Sequence, residues 1–88
     1  MIKGKTESGF EFEIEESRLD NMELVDAVAE ASDESPITVS RVILLLLGEK
    51  QRKALYDFCR AETGNVPIEA VSRTIIEIFK SIDSGKNS

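Results

Sequence analysis

Histidine and tryptophan are missing from the chain altogether, and cysteine occurs once, at Cys59. Each absence removes chemistry. Without histidine, neither a Ser–His nor a Cys–His nucleophile pair forms, and a zinc site loses its usual nitrogen ligand. A single thiol builds no thiolate cage, no two-cysteine redox motif and no intramolecular disulfide, which fits a reducing compartment. Long apolar runs are missing too. The longest, Val42-Ile43-Leu44-Leu45-Leu46-Leu47, has six residues, against the roughly 20 that cross a bilayer. No basic, apolar, small-residue leader pattern opens the chain. The expectation is an intracellular protein without catalytic residues, cofactor or metal, and without a membrane segment.

Basic residues are scarce where acids are plentiful. The formal net charge is −6. Residues 1–34 hold three bases against eleven acids, a net of −8, whereas residues 35–88 hold eight against six, a net of +2. A chain with no basic stripe repels phosphate, so nucleic acid is not the expected partner. The uneven charge suits head-to-tail packing, a basic partner surface, or a plain solvated acidic face. The hydrophobic fraction of 41% is enough for a folded core. A domain this short nevertheless buries only about 60–65% of its unfolded surface, so partner binding or self-association is a natural source of added stability.

Residues 2–6 and 10–15 alternate with a period of two. Phe10, Phe12 and Ile14 share one face, and Glu11, Glu13 and Glu15 the other. Glu7-Ser8-Gly9 between them carries a turn glycine, which predicts a hairpin. Asp20 with Glu23 resembles a capping box that starts a helix at Asn21. Its inward stripe is Leu24, Val28 and Ala31, widened by Val25 and Ala27. A polar loop over 31–35 follows. Ser35-Pro36 opens a second helix, which runs to Leu47 and stops at Gly48. Glu49 opens a third, reaching about Glu62, on which Gln51, Leu55, Phe58 and Cys59 share a face. Gly64-Asn65 closes it. Pro67 begins a fourth, with Val71, Ile75, Ile78, Phe79 and Ile82 at helical spacing. Residues 1–82 thus read as a single α+β domain, an N-terminal antiparallel β-hairpin packed on a small bundle of about four helices. Residues 83–88 read as a disordered C-terminal tail.

The clustered glutamates 11, 13, 15 and 16 fit a solvated strand face. Acid–base work needs two acids in distinct surroundings within a cleft, and the calcium-loop spacing is absent. Gly48 and Gly64 are isolated helix stops, not a phosphate-cradling loop. Cys59, beside Phe58, reads as a small hydrophobe of the core. The second helix is more informative. Val39, Val42, Ile43 and Leu46 form its inward stripe, but Ile37 and Leu44 fall on nearly the opposite side and Leu45 beside Arg41. A helix apolar on both sides is either enclosed by the other elements or docked to a partner. On the second alternative Ile37, Leu44 and Leu45 are partner-binding residues. Tyr56 and Ile76, just off their stripes, are either similar contacts or the edge of the core.

Gly48-Glu49-Lys50-Gln51 with Leu55-Tyr56, then Gly64-Asn65-Val66-Pro67-Ile68-Glu69-Ala70-Val71-Ser72 and Ile76-Glu77-Ile78-Phe79, resemble the small tail assembly chaperones of long-tailed phages and prophages. So do Lys5-Thr6-Glu7-Ser8-Gly9-Phe10 and the closing Gly85-Lys86-Asn87-Ser88. Asn65 departs from the family pattern, which more often has a base there. The resemblance implies a non-enzymatic protein of the host cytoplasm that is not part of the mature virion. Its implied partners are the tape measure protein, which it keeps soluble, and the tail tube protein, whose subunits it helps recruit. It also implies self-association and no catalytic residues. Two other readings remain open. One is a connector or completion protein of the phage particle. The other is a small regulatory or DNA-associated adaptor that uses helices three and four as a helix-turn-helix, with Lys50, Arg52, Lys53 and Arg60 as its basic cluster and Glu62–Asn65 as its turn. In the second case Glu69 and Glu77 would meet phosphate badly.

Overall fold

The computed structural model describes residues 1–31 and 35–85. Two strands lead the chain, β1 (Ile2–Lys5) and β2 (Glu11–Ile14), followed by α1 (Glu16–Leu19), α2 (Met22–Glu30), α3 (Pro36–Cys59) and α4 (Ile68–Gly85). This is the α+β arrangement expected, a hairpin ahead of about four helices. The centre of the polar loop, 32–34, and residues 86–88 of the expected tail lie outside the described residues. Helix α4 itself continues three residues past the expected stop at Ile82.

The hairpin is antiparallel, with Ile2 opposite Ile14 and Gly4 opposite Phe12. Phe10, Phe12 and Ile14 are buried while Glu11 and Glu13 stay exposed, as period-two alternation requires. The Phe12 ring lies across Gly4, where an added Cβ would come within 2.6 Å of it. At the turn, Thr6 N–H donates to the Phe10 carbonyl (2.9 Å) and Phe10 N–H to the Thr6 hydroxyl (2.9 Å). The outer edge of β2 is closed by a side chain. The Gln51 amide oxygen accepts from Glu13 N–H (2.7 Å), and its NH₂ donates to the Glu13 carbonyl. Gln51 therefore serves as a strand-edge clamp rather than as part of an apolar face. Phe58, expected on that face, is 44% exposed and packs tilted against Phe10, ring centres 5.4 Å apart.

Two local details differ from the sequence expectation. The cap of α2 is Asn21, whose Oδ1 accepts from Glu23 N–H (3.0 Å). Asp20 instead ends α1, its N–H donating to the Glu16 carbonyl (3.2 Å). The turn of helix α1 absorbs the residues just before the cap, so the capping role moves one residue on.

Helix α3 is two helical segments joined across a kink at Gly48, which sits at φ 81°, ψ 170°. The stop expected there is real at the level of the backbone, and Glu49 starts a second helical segment. Arg18 from α1 lies over the break. Its Nη1 donates to the Leu45 carbonyl (3.3 Å), and an added Cβ at Gly48 would be 2.8 Å from its Nη2. A cation here satisfies a helix-terminal carbonyl and complements the helix dipole. The second segment ends at Cys59, short of Glu62, because Arg60 turns extended. Arg60 Nη1 then donates to the Gly64 carbonyl (2.8 Å) and holds the loop to α4.

The core lies where α3 meets the hairpin, α2 and α4. Ile14, Ile43, Leu46, Leu55 and Ile78 are its fully enclosed members. Replacing Gly48 with alanine forces a left-handed φ on an L side chain and displaces Arg18. A loss of about 1–3 kcal/mol is expected. Urea unfolding should show a lower midpoint with an unchanged slope.

Candidate partner-binding groove

The geometry that matters for function follows from how two helices use the third. Both α2 and α4 pack on α3. Between them runs a groove of ≈ 680 Å³. Val28 of α2 and the residue that caps its C-terminus, Ala31, form one wall. Val39 and Val42 of α3 form the floor. Ile68, Ile75, Ile76 and Phe79 of α4 form the other wall, with Glu69 and Ser72 at its polar lip.

The α4 wall arises from two apolar stripes on one helix. Val71, Ile75, Ile78 and Ile82 point into the core. Ile68, Ile76 and Phe79, at i, i+8 and i+11, lie on an adjacent face, about 80° round at 100° per residue, with Ile75 at the border between the two. Ile68 is 60% exposed and Ile76 is 55% exposed. The α2 wall arises from the helix's rotation. Leu24 and Ala27 are buried, whereas Val28, expected inside, is 41% exposed and Ala31 is half-buried. Ala27, having almost no side chain, allows α2 to approach α3 closely on that side. This turns Val28 from the core into the groove.

The sequence-derived contacts scatter. Ile76 lines the groove. Tyr56 is half-buried under Arg52, whose Cζ lies 6.0 Å from the ring centre. It lines a shallower neighbouring groove of ≈ 250 Å³ that shares Val39 and Ile68 with the main one. Ile37, 83% exposed, and Leu44, just exposed, lie on α3 about half a turn from Val39 and Val42, away from the groove. Leu45 is half-buried and packs against the core. Val28 and Ile68 were not singled out from sequence. The signal was there for Ile68, an isoleucine directly after Pro67 whose i+8 and i+11 positions are Ile76 and Phe79. For Val28 no sequence signal distinguishes core from groove.

The polar surroundings are sparse. Glu69 pairs with Arg73 (3.5 Å), and Glu30 of α2 with Arg41 of α3 (3.7 Å). Cys59 is half-buried, its Sγ 3.6 Å from the Thr74 hydroxyl. Among the described residues, no group of three or more Cys, Asp or Glu is arranged to hold a metal ion. No helix there is long and apolar enough to cross a membrane.

Helix α4 is fixed from its far side. Glu77 accepts from the Ser8 hydroxyl (2.7 Å) and from Ser8 N–H (3.1 Å), tying the hairpin turn to the helix. The Ser8 hydroxyl, then its N–H, hold the Glu77 carboxyl below its ordinary value of 4.5. A folded value below the unfolded one stabilises the fold at neutral pH. The contribution is lost as pH falls below 4.5 and through the lowered value. Glu77→Gln should therefore be less stable than the parent at neutral pH, with the difference shrinking on acidification. Urea unfolding across that range measures it.

No family model matches the chain, and no curated protein or solved structure matches it significantly.

Proposed function

We propose that the protein is a non-catalytic assembly chaperone that holds an apolar helical segment of another polypeptide in the groove between α2 and α4. The observation that carries this reading is the second apolar stripe of α4. Ile68 and Ile76 stand exposed opposite Val28, over a valine floor, with no element among the described residues laid across them. An amphipathic helix in a hydrophobic groove is a recurrent recognition mode that uses i, i+3, i+4 and i+7 anchors.

The resemblance to tail assembly chaperones names the client as the tape measure protein, with tail tube subunits recruited afterwards, in the host cytoplasm and outside the finished virion. The surface suits that work. The net charge of −6 keeps a complex with an apolar client soluble. The lining supports reversible capture. Full burial of a side chain the size of valine, isoleucine or phenylalanine contributes about 1.5–3 kcal/mol. Association costs about 4 kcal/mol or more, so four such residues give roughly micromolar affinity at best.

The test is co-purification with a tape measure helix fragment. Val28→Glu with Ile76→Glu should lower capture by about tenfold or more while far-UV circular dichroism stays helical. Leu44→Glu, on the opposite side of α3, should leave capture intact. Undiminished capture by the groove variant rules the reading out.

A further inference from the structure

Resting on the groove reading proposed above, we infer that the bound helix carries one uncharged amide, glutamine or asparagine, within its apolar stripe. Ser72 pairs with that amide and so sets the register of the helix in the groove.

The α4 wall is apolar at Ile68, Ile75, Ile76 and Phe79, and Ser72 interrupts it. Ser72 stands four residues after Ile68, three before Ile75 and four before Ile76. At 100° per residue it lies about 40° from Ile68 and from Ile76, between them around the helix. Glu69 lies further out, about 100° from Ile68. Ser72 is thus the inner of the two polar groups on this wall, at a position where the spacing calls for an apolar side chain.

The other enclosed hydroxyls of the chain are spoken for. Thr74, two residues on, donates to the Ala70 carbonyl (2.8 Å), Thr38 donates to the Ser35 carbonyl (2.9 Å), and Thr6 accepts from Phe10 N–H (2.9 Å). Ser72 is half-buried, and its hydroxyl has no hydrogen-bond partner among the described residues. In the open groove water reaches it. A wholly apolar helix laid over the groove would strip that water and leave the hydroxyl unpaired, which is unfavourable. An amide carries both a donor and an acceptor and satisfies a hydroxyl in either sense. A charged side chain fits less well. Glu69 is already paired with Arg73 (3.5 Å), and the facing surfaces are Val28, Val39 and Val42, so a charge brought to Ser72 would be desolvated without a free counter-ion. One polar residue in an apolar seam fixes which turn of one helix meets which turn of the other.

Fluorescence anisotropy with the full chain tests this. The probes are a synthetic amphipathic helix with a leucine stripe and a set of derivatives in which glutamine replaces one stripe leucine at a time. At one position glutamine should be tolerated, with binding within about twofold of the all-leucine peptide, and at the others it should weaken binding by about fivefold or more. In Ser72→Ala and in Ser72→Val, each with parental circular dichroism, the tolerated position should weaken like the rest. Ser40→Ala, in the shallower neighbouring groove, should keep the parental pattern. The same response at every stripe position overturns the inference, as does a tolerated position that survives in both Ser72 variants or is lost equally in Ser40→Ala. A Ser72 hydroxyl that merely turns back to the Ile68 carbonyl gives the first of these results. Each of them leaves the groove reading standing, because the peptides still bind. Failure of every peptide to bind overturns the groove reading and the register inference together.

Discussion

The packing of the Val42–Leu47 run underlies the other features of the fold. Val42, Ile43, Leu46 and Leu47 are buried, and α1, α2, α4 and β2 all pack on the helix that carries them. Burying these side chains is the largest local source of stability in a domain too small for a second core. Both α2 and α4 gain most by covering this run, and covering it from two sides leaves a furrow between them. The groove is thus a consequence of making one short apolar run the shared support of two helices. Gly48 and Arg18 end the run's helix in a fixed geometry, and the Ser8–Glu77 contact fixes α4.

Much of this was legible in the sequence. The alternation of Phe10, Phe12 and Ile14 with glutamates fixed both the hairpin and its buried face. Gly48 and Pro67 marked real changes of backbone. What escaped has physical causes. Gln51 sits at an apolar spacing, but an amide can satisfy a strand edge, and a helical wheel does not show that edge. Ala27 decided the rotation of α2, because close approach favours the smallest side chain and not the most hydrophobic stripe. Rotating α2 by that amount converts Val28 from core to groove. For the same reason the apolar excess seen on the second helix was only partly placed. Ile37 and Leu44 are exposed, but the concave site lies elsewhere, and of the residues singled out for a partner only Ile76 lines its walls.

The uneven charge gains a structural location. The acid-rich N-terminal part supplies the outer faces of the hairpin and of α2, while Arg73 and Lys80 of α4 line a shallow depression with Lys5, Glu7 and Glu77 beside the hairpin. The lining is made of aliphatic side chains and Phe79 with few polar groups, so a helix bound there would be selected by shape and apolar spacing. That suits the chaperone role proposed above, in which the bound segment is later released.

The central claim is that the α2–α4 groove, and no other surface, receives a polypeptide helix. Methyl NMR during titration with a tape measure helix fragment tests it most directly. The predicted result is a set of shifts at Val28, Val39, Ile68 and Ile76 that saturate together, with Ile37 and Leu44 unmoved. Shifts centred on Ile37 and Leu44, or none at the groove at saturating fragment, would contradict it.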